Sequence, residues 1–105
     1  METKQLKLSE VCTNNYIFRQ DGVLMRTSIE NLLNQNIKVE INLENKEIKS
    51  SRFLEEAFVK LYTQYNPQFL ANHLEFKQIL TSTRQQLNKL LHKKFKELHP
   101  STTLF

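Results

Sequence analysis

The clearest pattern in the chain is the strict alternation Ile37-Lys38-Val39-Glu40-Ile41-Asn42-Leu43. It predicts a strand with one packed face and one polar face, since a strand covered on both sides reads as an unbroken apolar run. After a short polar turn, Phe53, Leu54, Ala57, Phe58, Leu61, Tyr62 and Tyr65 fall on one helical stripe, predicting a helix from about Ser51 to Tyr65 that Asn66-Pro67 stops. Glu55 and Glu56 then sit in its first turn, where the helix dipole favours acids. His73-Leu74-Glu75-Phe76-Lys77 repeats the alternation. If the two strands are neighbours, Lys38 and Glu40 lie near Glu75 and Lys77 on the open face. Thr81 or Ser82 caps a last helix with Leu87, Leu90, Leu91, Phe95 and Leu98 on one face, ended by His99-Pro100.

Upstream the signals are more local. Gln5 to Val11 alternates and predicts a short edge strand. Tyr16-Ile17-Phe18-Arg19 suggests a second strand, and Asp21-Gly22 suggests a tight turn leading to a hairpin through Val23-Leu24-Met25. Thr27-Ser28-Ile29-Glu30 fits a capping box, placing a helix start near Thr27. Asn34, Gln35 and Asn36 end that helix. Strands linked by helices imply a parallel core with right-handed crossovers. The expected fold is therefore α/β, a mixed sheet with a parallel core and helices mainly on one face. With 105 residues the chain is expected to be a single domain, 1–105, with 1–4 and 100–105 as tails.

Composition narrows the function. One cysteine, Cys12, provides no internal disulfide and reads as a small buried hydrophobe. Three scattered histidines show no metal-ligand spacing. The single glycine rules out a Gly-rich phosphate loop. No cofactor is expected. No apolar run approaches membrane-span or signal-peptide length, so the expected location is the cytoplasm. Ten basic and ten acidic residues balance through Lys77, and the net charge of +4 comes from Arg84, Lys89, Lys93, Lys94 and Lys96 against Glu97. Such a helix can attract nucleic acid or an acidic protein surface, or be a solvated face with cations near its C-terminus.

Ser50-Ser51-Arg52-Phe53-Leu54-Glu55-Glu56-Ala57-Phe58, after a strand and a short turn, resembles the signature of a bacterial STAS-like domain family of unknown function; STAS stands for sulphate transporter and anti-sigma factor antagonist. Phe18-Arg19-Gln20-Asp21-Gly22 is similar to that family's arginine and Asp-Gly, and the likeness runs from about Tyr16 to Leu98. It implies a small STAS-like sandwich. In STAS proteins related in fold, the loop entering this helix carries a serine phosphorylated by a histidine-kinase-like ATPase. Ser50 and Ser51 stand at the matching positions. Lys49 replaces the aspartate of that motif, and Arg52 its glycine.

The expected function is a non-enzymatic regulatory module that binds a partner protein through Lys49, Ser50, Ser51 and Arg52 and the following helix, with an ATPase-type serine kinase among the partners. A capping role for Ser51 is compatible with this. The alternative is a nucleic-acid accessory factor using Arg84, Lys89, Lys93, Lys94 and Lys96. No catalytic or metal residue is assigned, because no nucleophile, base and orienting group can be assembled from the spacing.

Overall fold

The computed structural model describes residues 1–12 and 18–98. Its elements are β1 (Thr3–Lys7), α1 (Leu8–Val11), α2 (Arg19–Leu33), β2 (Lys38–Asn42), α3 (Ser51–Leu54), a π-helical segment (Glu55–Val59), α4 (Leu61–Gln64), α5 (Pro67–His73), β3 (Leu74–Lys77) and α6 (Thr81–Leu98). The sheet order is β1-β2-β3, and both pairings are parallel.

The alternation in β2 holds at all but one position. Val39 and Ile41 are fully buried and Ile37 and Leu43 at its ends are buried, whereas Lys38 and Glu40 are only half-covered; Asn42, expected on the polar face, is buried where it caps the turn that follows. β3 pairs in register, Glu40 opposite Glu75 and Ile41 opposite Phe76. On the polar face Glu75 bridges Lys38 at 3.4 Å and Lys77 at 3.0 Å. Hydrogen bonds from Lys77 and Lys38, joined by their charges, hold the Glu75 carboxyl below its ordinary range.

The opposite face carries the helices. Gly22 meets Phe53 and Ala57, Arg26 meets Glu56, and Asn34 meets Tyr65. These partners advance together, so α2 runs parallel to the rod formed by α3, the π segment and α4. Ser51 meets Gln86 and Tyr62 meets Phe95, so α6 runs the same way on the other side. Phe53, Phe58, Met25, Ile29 and Leu61 fill the space between rod and sheet, each fully buried. Each large apolar side chain contributes roughly 1.5–3 kcal/mol of burial. Phe58 sits edge-on between Phe53 and Phe76, with ring centroids 6.0 and 5.1 Å away. This is a small α/β sandwich with a parallel core, as the resemblance implies. None of the described helices is long and apolar enough to cross a membrane.

Several local expectations give way. The strand foreseen over Gln5–Val11 turns helical at Leu8, and Thr3 and Lys4, placed in a tail, already pair with Lys38 and Val39. The Asp-Gly hairpin is absent: residues 19–33 form one helix, and the three described strands are all parallel rather than mixed. Gly22 serves a different need. A Cβ there would lie 2.7 Å from Glu56 Cβ and 3.0 Å from the Phe53 carbonyl oxygen. Only glycine lets α2 approach the rod so closely. The capping box at Thr27 falls in mid-helix, where Ser28 Oγ donates instead to the Leu24 carbonyl at 3.0 Å. Asn66-Pro67 ends one helix and starts another: Asn66 Oδ1 accepts from the Gln68 amide at 2.8 Å, with Pro67 at the first helical position. Tyr16 and Ile17 of the foreseen second strand, and the tail at 100–105, lie outside the described residues.

Candidate functional site

The segment Lys49-Ser50-Ser51-Arg52 stands where the chain enters the rod. It does not follow β2 directly. Eight residues, Leu43 to Ser50, make the crossing, pinned by the buried side chains of Leu43 and Ile48. Its turn begins where Asn42 Oδ1 accepts from the Glu44 amide at 2.8 Å, and Glu44 and Asn45 both take left-handed backbone (φ 57° and 54°). The Glu44 carboxylate accepts from the Ser9 amide at 2.7 Å, which ties the turn to α1 and holds that carboxyl below its ordinary range.

Ser50, not Ser51, is the helix cap. Its backbone is extended (φ −83°, ψ 111°), and its Oγ accepts from the Phe53 amide at 3.2 Å. The hydroxyl of a cap satisfies one of the amides a helix start leaves open. Ser50 is half-buried; Lys49, Ser51 and Arg52 are exposed. Ser51 Oγ accepts from Gln86 Nε2 at 3.2 Å, joining the start of the rod to α6. Lys49 and Arg52 make no ion pair among the described residues.

The rod behind this segment is unusual. Lys60 N–H bonds to the carbonyl of Glu55, five residues back, rather than to that of Glu56. Such π turns frequently occur at functional sites. The Glu56 carbonyl is instead met by Arg26 Nη1, which donates at 2.6 Å and also reaches Glu56 Oε2 at 3.0 Å. Arg19 Nε and Lys60 Nζ donate to Oε1 at 2.9 and 2.8 Å. Glu56 is 7% exposed. Its burial alone raises the carboxyl pKa, but hydrogen bonds from Lys60 and Arg26 and the charges of Lys60 and Arg19 outweigh this and hold it at about 2. Glu56, expected as a first-turn acid favoured by the helix dipole, is a buried anion that locks α2 to the rod. Only Glu55 is exposed.

Beside Arg52 lies a shallow depression lined by Phe18, Arg19, Gln20, Val23 and Arg52. It joins the start of α2 to the start of the rod. On the far side of the rod, a smaller cleft is lined by Glu55, Val59, Lys60, Leu90, Lys93 and Lys94. Of the α6 cations, Arg84, Lys89, Lys93 and Lys96 are exposed and Lys94 is half-buried. Their helix touches the serine segment through Gln86. Among the described residues no group of three or more His, Cys, Asp or Glu side chains comes together to hold a metal. The sequence singled out the serine segment as a candidate but did not show Arg19 and Arg26 as partners of Glu56. The available signal was their seven-residue spacing, which puts both on one face of a helix.

A parallel three-stranded sheet, helices on one face and a serine segment opening the central rod define a STAS-like domain. The family model described as STAS-like domain of unknown function (DUF4325) matches residues 21–82, and the chain belongs to that family. The match takes in Asp21-Gly22, the serine segment and the rod; Tyr16–Gln20 and most of α6, which the sequence resemblance also covered, lie beyond it. No curated protein and no solved structure matches the chain.

Proposed function

We propose that this chain is a non-enzymatic regulatory module that binds a partner protein through Lys49–Arg52 and the exposed start of the rod. Membership of the STAS-like family supports a protein-interaction role, since such domains are generally not enzymes. The observation that carries the reading is the exposure of Ser51 and Arg52 on a rod whose buried side is rigidly packed. A surface built on such an element keeps its shape and loses little entropy on binding.

Ser51, rather than Ser50, is the residue to be phosphorylated by an ATPase-type serine kinase. Ser50 is half-buried and its hydroxyl is committed to the Phe53 amide. A phosphate on Ser51 adds about −1.5 to −2 charge at pH 7 between Lys49 and Arg52 and displaces the Gln86 contact. It thereby changes both the charge a partner meets and the link to α6.

The test is phosphorylation by a cognate kinase with mapping by mass spectrometry, combined with photocrosslinking from residue 52 and, as a control, from residue 40 on the polar sheet face. The reading expects modification at Ser51 and a partner adduct from residue 52 only, lost in Ser51→Asp. Adducts from residue 40 alone, or binding indifferent to both Ser51→Asp and Arg52→Glu, would refute it.

A second reading rests on Arg84, Lys89, Lys93 and Lys96, which are exposed. These would contact nucleic-acid phosphates, and retention on DNA or RNA would then fall steeply with salt. Phe95, an aromatic ring on that helix, is half-buried against Tyr62 and is not presented for base stacking.

A further inference from the structure

Three exposed side chains face the depression beside the serine segment, and two of them, Phe18 and Arg52, do little for the fold. Phe18 is 58% exposed. It occupies the cap position of α2 without making a side-chain cap bond. A serine or aspartate there would cap the helix, which an apolar side chain cannot do. Arg52 is exposed and makes no ion pair among the described residues. Arg19 commits only Nε to Glu56 and remains 66% exposed in its side chain. Val23, half-buried, completes an apolar floor beside Phe18.

The signs of charge are one-sided. No acidic residue is among those lining the depression. The nearest acid in the network, Glu56, is buried and already holds three cations. Lys49 adds a further exposed cation three positions before Arg52. The depression is thus an aromatic anchor point between guanidinium groups, the composition from which interface hot spots are drawn.

We propose that the depression formed by Phe18, Arg19, Gln20, Val23 and Arg52 is the seat of an acidic peptide segment of a partner protein, with an apolar side chain against Phe18 and Val23 and carboxylates on Arg19 and Arg52. The inference deepens the proposed function and rests on it: it names the chemistry of the partner and extends the contact from the rod to the start of α2. Charge complementarity is what selects this occupant. A phosphorylated Ser51 beside the same cations would then compete with the partner's carboxylates for them.

The probe is a fluorescein-labelled peptide with glutamates on both sides of a central leucine pair, compared with versions carrying glutamine for glutamate and serine for leucine. Anisotropy gives affinity, and amide shifts in the full chain give location. Saturable binding is expected, with shifts over residues 18–24 and 49–53. Both control peptides and both variants, Phe18→Ser and Arg52→Glu, should weaken it by roughly tenfold or more. No binding, equal affinity for all three peptides, or shifts confined to α6 would overturn the inference. So would filling of the depression by a second copy, seen as shifts there on raising the protein concentration alone, or by residues 100–105, seen as shifts there on removing them. A partner that crosslinks from residue 52 yet is indifferent to Phe18→Ser would sink this inference and leave the proposed function standing.

Discussion

Arg26 meets Glu56 twice, at its carbonyl and at its carboxylate, 2.6 and 3.0 Å away. One guanidinium thus serves a backbone acceptor that the π turn takes away from Lys60 and shares the carboxylate with Arg19 and Lys60. Its Nε also faces Glu30 Oε1 at 3.3 Å, so each partner keeps another charge when the other is removed. Arg26→Met and Glu56→Ala should each lower stability by about 1–3 kcal/mol, through the buried acceptor or donor left unmet. Denaturant unfolding of the two single variants and the double variant measures the coupling, and the double should cost clearly less than the sum.

The same pair predicts an acid limb. The Glu56 carboxyl has an ordinary pKa of 4.5 and is held at about 2 in the folded chain. A depressed carboxylate stabilises the fold above its unfolded pKa and ceases to do so as the folded value is passed. Stability should therefore be level above about pH 5 and fall between roughly pH 5 and pH 2. Thermal melts of wild type and Glu56→Gln across that range should show a shallower slope in the variant.

Gly22→Ala tests the close crossing of α2 and the rod. The new methyl would lie 2.7 Å from Glu56 Cβ, and neither that atom nor the Phe53 carbonyl is the free end of a flexible chain. The backbones must separate. Alanine's better helix propensity returns about 1 kcal/mol, while overpacking costs about 1–3 kcal/mol and shifts the Glu56 contacts with it. Net destabilisation is expected, measured as a lower melting temperature with unchanged helical circular dichroism. A more stable variant would show that the approach is not tight.

The two serines should separate cleanly. Ser50→Ala removes the bond to the Phe53 amide and should cost about 1 kcal/mol. Ser51→Ala removes only an exposed bond to Gln86 and should cost within about 0.5 kcal/mol. Chemical denaturation of both reads the difference. Equal losses would mean that both hydroxyls are structural.

Cys12 is 3% exposed, and its thiol donates to the Asp21 carbonyl at 3.4 Å. Burial first, and the Asp21 charge second, push its pKa up to about 12 from 9.0. At pH 8 a thiol reagent should react with it only as fast as the chain opens, and at once in denaturant. Because the folded value is the raised one, the contribution is whole below about pH 9 and is lost as the pH climbs further.

How much of this was legible depended on the range of the signal. β2, β3 and α6 were readable because period-2 and period-3.6 patterns report burial directly, and the Lys38–Glu75 contact followed from placing two alternating strands side by side. The Asp-Gly hairpin failed because a two-residue signal cannot see the helix that Gly22 packs against. The π turn left a trace that went unread. Phe53, Ala57, Leu61 and Tyr65 recur every four residues, and on a regular α-helix such a row drifts by about 40° per step. Of the candidate site, Lys49–Arg52 could be singled out in sequence because it is contiguous. Phe18 and Arg19 could not, because the fold brings them to Arg52 from more than thirty residues away.

The π turn also bears on what a one-residue deletion in the rod would do. A helix that takes up one surplus residue as a bulge leaves its two flanks facing as before. If residue 55 were deleted, Phe53 and Leu61 would stand seven positions apart, two regular turns, with both still directed at the sheet. The Glu56 carbonyl would rejoin the regular ladder, and Arg26 would lose the acceptor it now serves. A chain shortened there would on this basis keep the sandwich, with Arg26 left to the carboxylates of Glu56 and Glu30 alone.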